Sequence, residues 1–192
     1  SLENIKKRRL SHSHEWLQEN GVCADTMHMG LSTIRQAGHG AFASWSLRKD
    51  TVVLPVPLIH IPNREVLDMY DKNTPDGTNK RIPPQLLLNY CMGHRESTLL
   101  LSPYGPVFSS INHNQTLANV RLQWASPQRS QHNPALLNMT IDDLAEIQSA
   151  QLAMELVALR DIEAGEEIFL DYGDEWEAAW QKHVQEWKPV EG

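Results

Sequence analysis

The chain has 192 residues, 41% hydrophobic and 21% charged, a balance that excludes a disordered tail or collagen-like fibre and allows one domain around one core. Seventeen Lys and Arg against 24 Asp and Glu leave a formal charge of −7, so direct nucleic-acid binding is not expected and a basic protein or peptide is the better partner. Cys23 and Cys91 alone cannot build a disulfide framework or a four-thiolate zinc site, and apolar runs such as 52–61, broken by Pro55 and Pro57, are too short to span a membrane.

In chain order, Lys6-Lys7-Arg8-Arg9 is either a nuclear-import patch or a solvated flank, and with two free thiols it sets the expectation of an intracellular, nuclear protein. Ser1 in place of Met is expected of an excerpt from a longer chain. Residues 1–28 form an N-terminal flank in which Ser13 to Glu19 make a short helix, with Trp16 and Leu17 on its buried side and Asn20-Gly21 stopping it. After Ile34 comes a glycine-rich turn at Gly38 to Gly40, then an alternating stretch from Phe42 to Leu47 and a β-branched, proline-broken strand from Val52 to Ile61. Asp71 to Arg81, with Pro75 and Asp76-Gly77, is an exposed inserted loop, whereas Leu86 to Tyr90 is apolar enough to be buried. Thr98 to Leu101 is a strand ending at Pro103, Asn119 to Trp124 alternates, and 125–138 is a second inserted loop. Thr140-Ile141-Asp142-Asp143 starts a helix of one or two turns through Ile147. Two more strands, Ala153 to Leu159 and Glu167 to Leu170, are joined by the turn from Asp161 to Gly165. A closing helix over Glu175 to Trp187 carries Trp176, Trp180 and Trp187 near one face. The fold class is therefore mainly β with a few short helices and long loops.

Five patterns bear on chemistry. GHGAFA at 38–43 satisfies the spacing of a dinucleotide-binding turn, but Trp45, Pro55 and Pro57 follow where that motif needs a helix, so the glycines serve a turn or a close backbone approach instead. His14-Glu15 fails as a zinc-protease motif because Gln18 stands where the second histidine is required. His94-Arg95-Glu96, with His132 or His183, offers a two-histidine, one-carboxylate iron site, and an iron-dependent oxygenase is the reading from another class. Asn112-His113 and Asp171-Tyr172-Gly173 are each ordinary alone; following GHGAFA in that order they are not.

With these pieces, and with ALRDIEAGEEIFLDYG at 158–173, the sequence resembles the SET-domain family of protein lysine methyltransferases from about Met29 to Gly173. The resemblance implies a SET domain over 29–174 built of several small curved sheets with a threaded C-terminal segment, and the closing helix read from the tryptophan spacing is expected to pack on it over 175–192. It implies that the backbone around Gly38, His39, Gly40, Ala41 and Phe42 receives the methionine part of S-adenosylmethionine. Asn112 and His113 would hold its amino group and adenine. Tyr172 would be the catalytic tyrosine, at the end of a lysine channel lined by Leu170, Tyr104 and Tyr90. The substrate would be the ε-amino group of lysine in a protein, such as a histone tail, and no metal is expected.

Three features depart from that pattern. Leu170 stands where the family usually carries Tyr or Phe, the zinc-binding cysteines that often follow the last motif are missing, and Asn119 comes six positions after His113. A helix bearing Trp176 and Trp180 is the candidate replacement for the missing zinc lid. A SET-like module that binds peptide without turnover is the alternative these departures raise. The carboxylates Glu163, Glu166, Glu167, Asp171, Asp174, Glu175 and Glu177 would give this end a negative field that attracts a basic peptide.

Overall fold

A computed structural model describes residues 13–21, 23–35, 37–71, 78–82, 85–94, 96–129, 132–147 and 151–186. The Lys6–Arg9 cluster, Arg95 and Trp187 lie outside these residues, as does the side chain of His183.

The described strands are β1 (Met27–Leu31), β2 (His39–Ala43), β3 (Val52–Ile61), β4 (Met69–Asp71), β5 (Lys80–Ile82), β6 (Met92–Gly93), β7 (Leu100–Pro103), β8 (Asn112–His113), β9 (Val120–Trp124), β10 (Ala153–Ala158) and β11 (Glu167–Leu170). Among the described residues three α-helices accompany them: α1 (His14–Asn20), α2 (Ile141–Ala145) and α3 (Asp174–Glu186). The main sheet runs β1-β2-β11-β9-β10-β3-β7-β6, with β8 branching from β11, and β4 pairs with β5 separately. The mainly β fold expected from the sequence is present.

β3 shows how a proline-broken segment can run through a sheet. Its first half pairs with β10, with Glu155 opposite Pro55 and Ala153 opposite Pro57, while only Leu58 to Ile61 pair with β7. The Pro57 carbonyl accepts from the Tyr104 N–H at 2.8 Å, so its backbone faces away from β10. Pro55, two residues earlier, faces the same way. Both prolines thus turn their missing N–H toward the edge that β7 leaves unpaired, where it costs no ladder bond. The alternate residues Leu54 and Val56 are fully buried and meet Ile111, Leu156, Ile162 and Ile168 in one core. Each such side chain stabilises the fold by about 1.5–3 kcal/mol relative to exposure.

Three expectations need correction. Leu17 is 51% exposed and only Trp16 is partly covered, because adjacent positions on a helix point about 100° apart and a seven-residue α1 buries one of them. Leu86 to Tyr90 form a 3₁₀ turn with no buried residue, since consecutive apolar side chains fan around so tight a turn and cannot share a face. The ends of the 71–81 segment are not loop but ladder: Asp71 pairs with Lys80 and Tyr70 with Arg81, whose guanidinium bonds Asp68 at 2.6 Å. In the second inserted segment, Pro134–Asn138 are a 3₁₀ turn, with Pro134 in its first turn and Asn133 capping it from the Ala135 N–H.

Candidate active site

β11 is the element that gathers the site. All four of its residues are buried, and it pairs antiparallel to β2 (Glu167 with Phe42, Ile168 with Ala41) and parallel to β8 (Phe169 with Asn112, Leu170 with His113). Residues 38–42, 112–113 and 171–172, scattered through the sequence, therefore meet at one end of one strand.

Asn119 secures this arrangement. Fully buried, it donates to the Glu167 carbonyl at 2.8 Å, accepts from the Phe169 N–H at 2.9 Å, and sends its own N–H to the Phe169 carbonyl at 3.1 Å. One amide side chain thus replaces the ladder partner that β11 would otherwise lack there.

The Tyr172 hydroxyl donates to the Ile111 carbonyl just before β8. Tyr172 as a whole is 41% exposed, but desolvation of its hydroxyl, with the neighbouring Tyr90 phenol, pushes its pKa up to about 12, so it stays a neutral phenol whose oxygen lone pairs remain to accept. The Tyr172 backbone N–H donates to His113 Nδ1 at 2.9 Å, which requires that nitrogen to be unprotonated, and His113 Nε2 lies 3.0 Å from Glu177 on α3. The imidazole is thereby held with its proton on Nε2. Trp176 covers the pair, its ring centroid 4.7 Å from His113 and 4.9 Å from Tyr172, and Trp180 stacks on Trp176 at 5.7 Å. Gln115 Nε2 donates to Asp174 Oδ1 at 3.2 Å and holds the start of α3.

On the other side of β11, Glu167 is buried beneath Gly40. Its carboxylate takes Ser32 Oγ at 2.7 Å and Asn112 Nδ2 at 3.3 Å on Oε1, and the Thr33 N–H at 2.7 Å and Thr33 Oγ1 at 2.5 Å on Oε2. Burial pushes this carboxyl up, but the Thr33, Ser32 and Asn112 hydrogen bonds outweigh it and hold the pKa below the usual range. A Cβ on Gly40 would fall 2.1 Å from Oε1, so the absence of a side chain at 40 makes room for the carboxylate. Gly38 sits at φ +72 with open space above it. Thr33, Phe42, Leu117, Arg160, Gly165, Glu166, Glu167 and Phe169 line an open cleft of about 350 Å³ beside this cluster.

The remaining sequence candidates fall as follows. His39 is exposed and the Phe42 ring lies over Gly30, but Ala41 is fully buried, backbone included, between Met29 and Ile168, so the expectation that it meets a ligand is corrected: a central strand position has both edges taken by its neighbours. Leu170 is 8% exposed and packs within the core cluster. Tyr90 is near enough to Tyr172 to influence its ionisation; Tyr104 is 65% exposed beyond the end of β7, and no hydrogen bond or ring contact joins it to Tyr172 among the described residues. Of the acidic stretch, Glu167 is buried and Glu166 is bound to Arg160 at 2.5 Å, whereas Glu163, Asp171, Asp174 and Glu175 stay exposed. His132 is buried, with Nδ1 taking the Ala153 N–H and its ring stacked on Trp124, and His94 Nδ1 takes the Glu96 N–H. Among the described residues no three His, Cys, Asp or Glu side chains converge as metal ligands, so the iron site is not assembled there.

The sequence reading missed Ser32, Thr33, Ile111 and the structural part played by Glu167. The doubled glutamate before the last strand was visible, but its inward member was counted with the surface field.

Residues 38–173 match the family model described as SET domain. No curated protein matches the sequence. Among solved structures, Chaetomium thermophilum Polycomb Repressive Complex 2 bound to GSK126 aligns at 19% identity and TM-score 0.50, covering 86% of this chain and 18% of that one. The same complex in an autoinhibited conformation bound to S-adenosylmethionine gives 18%, 0.49, 85% and 17% in the same order. A Plasmodium falciparum protein described as a candidate histone methyltransferase gives 18% and 0.49 and covers 79% of this chain and 96% of that one. The chain spans under a fifth of the Polycomb chains, and the likeness to them is one of fold.

Proposed function

The chain belongs to the SET-domain family, and from that premise we propose that it is a protein lysine methyltransferase that takes its methyl group from S-adenosylmethionine. The observation that carries the reading is the convergence on β11 of the Gly38–Phe42 backbone, Asn112-His113 and Tyr172, whose hydroxyl is held by the Ile111 carbonyl.

The residues present suit that cofactor. Nothing among the described residues donates to Asn112 Oδ1, while its Nδ2 is bonded to Ser32 Oγ, the His39 carbonyl and Glu167; the free oxygen is an acceptor for an ammonium group. Open space over Gly38 admits a ligand to the backbone, and the ring faces of His113, Tyr172 and Trp176 suit a cation and a flat base. When bound, the cofactor supplies a methyl electrophile on a sulfonium, and its displacement by a lysine amine gives methyl-lysine and S-adenosylhomocysteine.

The protein's share is alignment and desolvation. A lysine ammonium with an unperturbed pKa near 10.4 must give its proton to water before attack, and an apolar channel favours the neutral amine. Tyr172, donating to the Ile111 carbonyl, keeps its oxygen as an acceptor for the amine's remaining N–H or for the polarised methyl. Because that phenol stays protonated to about pH 12, it acts by position rather than as a base. The exposed carboxylates Glu163, Asp171, Asp174 and Glu175 favour a basic substrate segment such as a histone tail, and a nuclear location follows for that substrate. Among the described residues no helix is long and apolar enough to cross a membrane.

Incubation with S-adenosylmethionine and a set of basic peptides, read by intact-mass spectrometry, tests the proposal. Whole-methyl mass increments on lysine are expected. Peptide binding with no increment would favour the silent module instead.

A further inference from the structure

Glu167 is a charged side chain with 5% exposure, 135 residues from its partner Ser32, and nothing in the methyl-transfer chemistry calls for it. Its geometry explains its presence. Asn112 Nδ2 has three acceptors: Ser32 Oγ at 3.1 Å, the His39 carbonyl at 3.0 Å and Glu167 Oε1 at 3.3 Å. Ser32 Oγ donates its one proton to Glu167 at 2.7 Å and accepts with its two lone pairs from the Ile34 N–H at 3.0 Å and from Asn112, so toward Asn112 it acts as an acceptor. A flipped amide would press its oxygen against a carbonyl and a carboxylate, so the orientation shown is enforced electrostatically. The carboxylate is itself anchored from behind by Thr33, through both N–H and hydroxyl, and lies over Gly40, where no side chain intervenes.

We propose that Glu167 is a positioning residue for cofactor recognition: with Ser32 it locks the Asn112 amide so that Oδ1 faces the site as an acceptor for the α-amino group of the methyl donor. This rests on the cofactor reading above. Neither Glu167 nor Ser32 needs to touch the ligand, and both act through Asn112. The charge matters as well as the shape. A carboxylate accepts at both oxygens, whereas a glutamine offers an NH₂ that either opposes Thr33 or competes with Asn112 for Ser32.

The test pairs a protein change with a ligand change. Binding of S-adenosylhomocysteine and of its analogue lacking the α-amino group is measured by calorimetry on wild type, Glu167→Gln and the milder Ser32→Ala, with a thermal melt of each. Glu167→Gln is expected to weaken S-adenosylhomocysteine at least about tenfold while leaving the deaminated analogue within about twofold, and Ser32→Ala is expected to give the same selectivity at smaller size. A merely structural role would weaken both ligands in proportion. Proportional loss, or no loss, in whichever variant folds overturns the proposal, while failure of the wild type to bind S-adenosylhomocysteine overturns the cofactor reading instead.

Discussion

The backbone N–H of Tyr172 donates to Nδ1 of His113 at 2.9 Å, so the strand exit carrying the proposed catalytic phenol is registered against the ring of the N-H pair. The far nitrogen of that ring lies 3.0 Å from Glu177, and α3 is thereby tied to the same imidazole.

A neutral His113 needs only an acceptor from α3. Glu177→Gln should therefore leave the melting temperature nearly unchanged, while Glu177→Ala should lose about 0.5–1 kcal/mol and speed amide exchange in α3. Hydrogen exchange by mass spectrometry checks this. Equal effects of Gln and Ala would show that charge, not acceptance, holds the helix.

Tyr172 sets the alkaline behaviour. Its folded pKa, about 12, lies above the ordinary value of 10, so the folded state holds the phenolic proton more tightly than the unfolded chain. Its stabilising contribution is complete below about pH 10 and is lost as pH rises from there toward 12. Denaturant titrations across that window should show stability falling with pH in the wild type and a shallower fall in Tyr172→Phe. Ultraviolet titration should find one tyrosine ionising late.

Two glycines of one motif should respond differently. Gly40→Ala puts a methyl 2.1 Å from Glu167 Oε1 and should cost roughly 1–3 kcal/mol through displacement of the carboxylate. Gly38→Ala meets no atom within 4 Å and bears only the strain of φ +72, about 1 kcal/mol. Urea unfolding of the two variants gives the order, and a larger loss at 38 would contradict the packing at Glu167.

Asn119→Ala strands the Phe169 N–H and the Glu167 carbonyl in the interior and should lose about 2–4 kcal/mol. Thermal denaturation measures it, and a change under about 0.5 kcal/mol would mean β11 is held by its ladder alone.

The meeting of the three segments of this candidate site was legible in the sequence, because GHGAFA, Asn112-His113 and Asp171-Tyr172-Gly173, each ordinary alone, come in a fixed order and end in the long stretch 158–173. What escaped notice is of two kinds. Ile111 receives the Tyr172 hydroxyl through its main-chain carbonyl, which leaves no trace in side-chain identity. Glu167 bonds Ser32 and Thr33 from more than 130 residues away, and a carboxylate reads as surface until donors that distant are folded onto it. Val52 to Ile61 were legible as a proline-broken strand, but not that its first half would pair with β10 and its second half with β7, which depends on segments far along the chain. Leu86 to Tyr90 misled because apolar content alone does not say whether a neighbouring layer exists to cover it.

The most direct measurement compares Tyr172→Phe with the wild type under single turnover, alongside S-adenosylhomocysteine affinity. If the hydroxyl serves the moving charge, the methyl-transfer rate should fall by at least about a hundredfold with affinity changed less than about threefold. A variant that transfers methyl groups at the wild-type rate would contradict the role assigned to Tyr172 and, with it, the proposed chemistry.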